Sequence, residues 1–266
     1  MRTFWKKLVR RTVLVVLILL MPPVIRAAVD SEVLARDWTT ASSNPVGFAP
    51  SPDTYEPAVV QAYAASVWGW RGLIADHTWI AAKPTGATHY QRYEVIGWRL
   101  GRTGSALAES ETLTPDQEWY GAAPKLLQDI RGAEAEAIIA ALPAAVASYP
   151  YPREYRMWPG PNSNTFIAHV ARKVPALQLA LPGTAIGKDY TGFDVITPAT
   201  SGTGYQVSLA GMLGVTLARE EGLELNVLGL VLGVSPKNLA VTLPGFGRVP
   251  AGNDWTNGRA RSAPLP

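Results

Sequence analysis

The sequence predicts an α+β protein: an antiparallel sheet with packed helices, preceded by an N-terminal hydrophobic targeting segment. Three observations carry this. Residues 58–100 hold apolar, aromatic and β-branched runs separated by turn residues. Residues 124–173 carry an Ala- and Glu-rich stretch and a second helix start. Apolar runs punctuated by glycine return over residues 205–243, so the order is strands, helices, strands. A length of 266 residues with 47% hydrophobic and 17% charged positions suits one domain with its own core plus a small appendage.

Residues 1–28 read as a signal anchor or signal peptide. A basic stretch (Arg2, Lys6, Lys7, Arg10, Arg11) precedes an apolar run from Val13 to Met21 that continues through Pro22 and Pro23 to Ile25. A small-x-small cleavage site would have to use Ala27 or Ala28, and the residues two before them are Ile25 and Arg26, which favours an uncleaved anchor. The apolar run is shorter than the about 20 residues that span a bilayer comfortably, so a cleaved signal is the close alternative. In either case residues 8–25 are the expected membrane contact. The basic flank on the N-terminal side leaves the body outside the cytoplasm, at a bacterial inner membrane with the body facing the periplasm, or exported if the leader is removed.

Residues 29–56, rich in Ser, Asn and Pro, read as a linker or surface-hugging segment, and the folded domain is expected over residues 57–250. Strands are expected at 58–67, 73–82 and 90–100, joined at Gly69-Trp70-Arg71-Gly72 and Lys83-Pro84-Thr85-Gly86 as an antiparallel meander. Helices are expected at 124–130 and at 133–142, the latter ended by Pro143. The Tyr-Pro and Trp-Pro-Gly-Pro stretches at 149–152 and 158–161 exclude regular structure and deliver the chain to a helix from 162, 163 or 164 to about 173. Residues 205–218 and 223–234 read as two strands of a hairpin, with a last strand near 239–243. The glycines Gly211, Gly214, Gly229 and Gly233 make no convincing repeat, and residues 251–266 read as a flexible tail.

Composition removes several chemistries. With no cysteine, disulfides, thiol catalysis, iron–sulfur clusters and cysteine zinc sites are excluded by residue type. Six of the 24 Lys and Arg fall in residues 1–26 with no acid among them, so the rest carries 18 basic against 21 acidic residues. A mildly acidic body without a basic stripe argues against nucleic acid as a partner. Gly183 to Lys188 has the wrong spacing for a phosphate loop, and Asp189 stands where Ser or Thr is required, so no cofactor is expected. A zinc site from His77, His89 and an acid is disfavoured, because neither a His-x-x-x-His pair nor a dense carboxylate cluster accompanies them.

The chemistry-bearing candidates are few. Gly160-Pro161-Asn162-Ser163-Asn164-Thr165-Phe166 brings rigid chain to a helix N-terminus that opens with a hydroxyl. Ser163 there is a candidate nucleophile, with Asn162, Asn164 and Thr165 beside it as candidate binding or oxyanion groups, because helix-start N–H groups favour a developing anion. Capping by Asn162 or Ser163 is the commoner use of such residues. His77, in a strand that otherwise reads as apolar, is the candidate general base. A histidine satisfied by a backbone carbonyl or a Tyr hydroxyl is the plainer alternative. His89 or Glu94 on the next strand is the candidate orienting group, since neighbouring antiparallel strands share one side-chain neighbourhood. His169 falls on another side of its helix and reads as structural. Six of the nine tryptophans, Trp68, Trp70, Trp79, Trp98, Trp119 and Trp158, supply core or an aromatic wall.

The motifs at 67–72, His77-Thr78-Trp79-Ile80, 93–98, Tyr149-Pro150-Tyr151, 158–166 and 185–190 together resemble an uncharacterised family of bacterial envelope proteins, a domain of unknown function. The order of a histidine on an early strand followed by Asn-nucleophile-Asn at a later helix start is also similar to circularly permuted papain-like proteins. That group includes cell-wall amidases, deubiquitinase-like peptidases and lecithin–retinol acyltransferase. This similarity implies that Ser163 stands where those proteins carry cysteine and His77 where they carry histidine, with His89 as a counterpart of their second polar residue. Serine is far less acidic than cysteine, so the substitution implies either a weak nucleophile or a relic used for binding. Two readings follow: an envelope hydrolase or acyltransferase acting on an amide or ester of a cell-envelope substrate, and a non-catalytic tethered binding or scaffold module that keeps a degenerate papain-like pocket. Oligomeric state is not legible.

Overall fold

A computed structural model describes residues 2–39, 41–237 and 239–250; the tail expected at 251–266 lies outside the described residues. The chain opens with helix α1 (Arg2–Val29) and the short α2 (Ser31–Ala35), capped by Asp30. A first sheet has the order β4-β3-β2-β1-β5. Its strands are β1 (Val59–Ser66), β2 (Asp76–Lys83), β3 (Gln91–Val95), β4 (Leu107–Ser110) and β5 (Lys125–Arg131), all antiparallel to their neighbours. Two 3₁₀ turns (Gly69–Leu73, Gly97–Arg99) and the one-turn α3 (Leu100–Thr103) fill its loops. The helices α4 (Ala133–Ala147) and α5 (Ser163–Lys173) follow, with a further 3₁₀ turn at Pro175–Leu177. A second sheet is a meander of seven strands: β6 (Ile196–Pro198), β7 (Gly204–Leu209), β8 (Leu213–Ala218), β9 (Gly222–Val227), β10 (Leu230–Ser235), β11 (Ala240–Leu243) and β12 (Gly247–Val249). The predicted α+β class holds, and the first three strands form the expected meander, but the third, expected to reach Leu100, ends at Val95 where Gly97 opens a 3₁₀ turn that runs into α3.

The first sheet is buried on both faces because β1 and β2 are apolar on alternate and intervening positions alike. Ala62, Ala64, Ile80 and Ala82 face α4 and α5, packing against Ile138, Leu142, Phe166, Ile167 and Val170. Tyr63, Ala65, Trp79 and Ala81 form the other core, covered by Ala49, Tyr55, Trp119 and Ala122. The segment read as a linker therefore hugs the sheet: Asp116 accepts from the backbone N–H groups of Phe48 (2.6 Å) and Ala49 (3.1 Å).

Three further element expectations are corrected. Residues 125–131 form β5, not a helix: pairing with the exposed edge of β1 outweighs the helix-compatible Leu and Gln of this segment. Pro143 does not end α4. It sits on the solvent side, while Leu142, Ala145 and Val146 are buried, and that packing carries the helix on to Ala147. Residues 205–218 and 223–234 are each two strands, not one. The turns that divide them use Ala210-Gly211 and Leu228-Gly229, every one of these residues at positive φ, so turn chemistry hides inside apolar text.

The meander alternates in reverse of the usual sense. Its inner face carries buried Gln206, Ser208, Thr216, Glu224, Asn226 and Thr242, while its outer face exposes Tyr205, Val207, Leu209, Leu213, Val215, Leu217, Leu223 and Leu225. The polar inner face is satisfied by the end of α5 and the loop after it: Lys188 Nζ donates to Glu224 (2.6 Å), Asn226 to Asp189 (2.8 Å), Ser208 to the Asp189 carbonyl (2.6 Å), and Arg172 to Gln206 (2.9 Å).

α1 is long and apolar enough over Phe4–Val29 to cross a membrane. Its C-terminal end is seated on the body. Leu19, Pro22, Pro23 and Arg26 are buried, and the Arg26 guanidinium donates to Ser66 Oγ (2.9 Å), to the Leu73 carbonyl (3.5 Å) and to the Gly245 carbonyl.

Candidate functional site

The start of α5 is built by Asn162. Its side-chain oxygen accepts from the N–H groups of Asn164 (2.9 Å) and Thr165 (3.1 Å), and the Asn162 N–H donates back to Thr165 Oγ1 (3.1 Å), a reciprocal cap. Its amide nitrogen then ties the cap to the carbonyls of Met157 and Ile186, both at 3.0 Å. Gly187 makes this possible: at φ +97° it lies so close that a Cβ would sit 2.4 Å from the Asn162 amide nitrogen. Asn164 stitches the helix start to β2, donating to the carbonyls of Asp76 (2.9 Å) and Ile186 (2.8 Å) and accepting from Thr78 Oγ1 (2.9 Å). Asp76 and Thr78 are the two residues that flank His77.

The capping role at this helix start thus belongs to Asn162, and it leaves Ser163 free. Among the described residues no hydrogen bond engages the Ser163 hydroxyl or its backbone N–H. The donors of Asn162, Asn164 and Thr165, expected as binding or oxyanion groups, are all spent on architecture; Thr165 Oγ1 itself donates to the Gly187 carbonyl (2.8 Å). At the start of α5 the Ser163 N–H is the donor left over.

His77 is buried, with 4% of its surface exposed. Opposite Ala65 in β1, it lies on the sheet face that carries Trp79, the face turned away from α5. Its ring stacks on Trp119 (centroids 3.7 Å apart) and lies 5.7 Å from Trp79. Nε2 is 2.8 Å from Glu94 Oε2. Glu94 in turn is held by Arg92, whose Nε is 2.8 Å from Oε1 and whose Nη2 donates to Oε2 at 3.0 Å. The Arg92 guanidinium lies 4.4 Å over the Trp79 ring. Burial pushes the His77 pKa down, against the opposing pull of Glu94. Burial would raise the Glu94 carboxyl, but the His77 hydrogen bond and the Arg92 charge overcome it and hold the group below its ordinary value. The pair is thus a neutral imidazole donating Nε2–H to a carboxylate, which leaves Nδ1 unprotonated.

His77, Asp76 and the Asn162-Ser163-Asn164 turn border one cavity of about 640 Å³. Ser163 and His77 share that cavity without a hydrogen bond between them. His89 is elsewhere: half exposed, it faces Glu111 at 3.7 Å and has no contact with His77. Glu94, the other expected orienting group, occupies that position. Reading the sequence misses Arg92, Trp119 and the Ile186-Gly187 carbonyls. Arg92 and Glu94, two opposite charges two apart in a strand, were the available signal for the first; nothing local marks Trp119, which arrives from a loop.

The start of α5 with Ser163 and the strand residue His77 thus border one cavity of an α+β protein. Residues 57–190, just over half of the chain, match the family described as "Protein of unknown function (DUF3750)", and the chain belongs to that family. No curated protein and no solved structure matches it.

Proposed function

We propose that the chain is a membrane-anchored, periplasm-facing hydrolase or acyltransferase for an ester or amide, with Ser163 as nucleophile, His77 as base and Glu94 as the group that orients it. The observation that carries this is the state of His77: Nε2 is committed to an ion-paired carboxylate, so the ring is fixed in the tautomer that accepts a proton at Nδ1. Ser163 Oγ attacks the acyl carbonyl as its proton passes to Nδ1, and the Ser163 N–H meets the oxyanion. The imidazolium then protonates the departing alcohol or amine. Water, or an acceptor hydroxyl or amine, releases the acyl group by the reverse sequence. Ser163 and His77 form no hydrogen bond, so this mechanism requires substrate binding to bring their side chains together.

Labelling of the full-length protein by a fluorophosphonate, mapped by mass spectrometry, is expected at Ser163. Its rate follows the neutral fraction of His77. Because burial lowers that pKa, the acidic limb has its midpoint below the ordinary histidine value of about 6.5. A midpoint at or above that value would remove His77 as the base. The same shift has a stability consequence. Below about pH 6.5 the unfolded chain takes up a proton that folded His77 refuses, so stability declines from there down to the folded pKa and is unaffected above it.

The anchoring part of the reading rests on α1 and on Arg26. A cleaved leader would take with it a buried guanidinium and its three hydrogen bonds, so retention of α1 is supported by its seat on the body. Alkaline phosphatase fused after residue 250 is expected to be active in intact bacterial cells; an inactive but stable fusion places the body in the cytoplasm.

The second reading, a binding module without catalysis, draws on the missing Ser163–His77 hydrogen bond and on the sheet face His77 occupies. Absence of any Ser163 adduct between pH 6 and 9, with a control serine hydrolase labelled in the same tube, would leave that reading standing.

A further inference from the structure

The cavity at Ser163 has a polar floor and mostly apolar walls, to which Arg71, its guanidinium over Trp68 and Trp70, adds one cation. The floor is the Asn162-Ser163-Asn164 turn with Asp76 and His77. One wall is supplied by Leu20 and Pro23 of α1, the helix long and apolar enough to cross a membrane. Three residues beyond Pro23, Arg26 is pinned into the body, so the end of the apolar span meets the domain at the cavity itself. Leu228, in the β9–β10 turn, and Leu230, in the strand that α1 contacts, line the cavity too. Trp70 and Trp158, 63% and 47% exposed, also line it. Exposed indoles beside an apolar span are typical of the boundary between headgroups and acyl chains. From Leu230 the apolar surface continues without a charged residue into Leu223, Leu225, Val215 and Leu217 on the outer face of the meander. A monomeric soluble protein rarely leaves a patch of this extent bare.

The geometry points to a membrane lipid as the ligand of this cavity: its acyl chain lies between α1 and the β9–β10 turn, and its ester or amide carbonyl reaches the floor at Ser163. The assignment rests on the acyl-transfer reading for its chemistry but not for its binding. The volume of about 640 Å³ falls within the roughly 300–1,000 Å³ of small-molecule sites, enough for a chain and its carbonyl but not for a peptide domain. In the reaction the Ser163 Oγ–acyl bond forms as the lipid C–O or C–N bond breaks. The proton taken from Ser163 leaves on the departing alcohol or amine, and water or a second amphiphile then accepts the acyl group.

The test uses full-length protein in phospholipid nanodiscs doped with a phosphatidylcholine carrying a diazirine near the end of one acyl chain. After irradiation, cross-links are expected on the peptides holding Leu20 and Leu228, equally in wild type and Ser163→Ala. They are expected to fall at least tenfold in Leu228→Asp, which places a carboxylate at the cavity wall. Leu228 is exposed at φ +56°, a conformation that Asp tolerates, so this variant folds. Cross-links confined to the rest of α1, or unchanged in Leu228→Asp, would overturn the lipid site. So would labelling of these peptides only by a diazirine fatty acid supplied from water, which replaces a membrane source with a soluble one. Fluorophosphonate labelling of Ser163 without lipid cross-links keeps the acyl-transfer reading and rejects the lipid. Lipid cross-links without Ser163 labelling keep the lipid site and reject the chemistry.

Discussion

Replacing Ser163 by alanine removes all fluorophosphonate labelling and lowers turnover of any ester substrate by about 10⁴-fold or more, the loss expected when a covalent nucleophile is deleted. The fold pays almost nothing for this change. Ser163 carries no cap: Asn162 holds the Asn164 and Thr165 N–H groups, and among the described residues the Ser163 hydroxyl has no hydrogen-bond partner to lose. Ala is also the better helix former at the first helical position. Thermal melting of the variant therefore stays within a few degrees of wild type. The contrast is Asn162→Ala, which strands two helix-start donors and gives up two further bonds to the Met157 and Ile186 carbonyls. If Ser163→Ala turned over substrate at the wild-type rate, Ser163 would not be the nucleophile, whatever occupies the cavity.

Much of this candidate site is legible in the sequence. The Asn162-Ser163-Asn164 helix start, the strand histidine and Glu94 are local in sequence, and each follows from what capping, burial and strand adjacency require. What escaped is what depends on long-range pairing. Trp119 stacks on His77 from 42 positions away in sequence, and Ile186 and Gly187 lock the helix start through their carbonyl groups. Main-chain acceptors leave no residue-type signature. His89 was a candidate for the same reason as Glu94, adjacency to β2, yet strand parity separates the two. Glu94 shares its sheet face with Arg92, Trp79 and His77, while His89 falls before β3 begins. The misread of β5 has the same origin, for its identity is fixed by the free edge of β1 and not by its own composition. In the meander, Gly211 and Gly229 mark hairpin turns beside Ala210 and Leu228, residues that rarely signal a turn, while Gly214 and Gly233 lie inside β8 and β10.

The segment from Gly183 to Lys188, rejected as a phosphate loop, has a different use, and Lys188→Met exposes it. Lys188 is buried with Nζ 2.6 Å from Glu224 and 3.6 Å from Asp189. Burial alone would push its pKa down; the charges of Asp189 and Glu224 reverse this and keep it protonated. Methionine preserves the side-chain length but leaves two buried carboxylates facing each other with no cation between them. Breaking one side of such a network costs about 3–5 kcal/mol, which for a domain of this size lowers the melting temperature by roughly 10 °C or more. The double variant Lys188→Met, Glu224→Leu removes one of the two carboxylates along with the cation, leaves Asp189 its hydrogen bond from Asn226, and is expected to regain part of the loss. A single variant as stable as wild type would show that the network contributes little. The effect also reaches the site. Lys188 and Asp189 hold the chain that presents the Ile186 and Gly187 carbonyls to Asn162, Asn164 and Thr165, and they anchor it to the inner face of the meander. Loosening it frees the start of α5, so Ser163 labelling in Lys188→Met drops at temperatures where the variant is still folded. The polar lining of the meander is therefore not a defect of its pattern: it is the surface against which the Ser163 turn is braced, and it accounts for why the aliphatic residues of those strands are left to face outward.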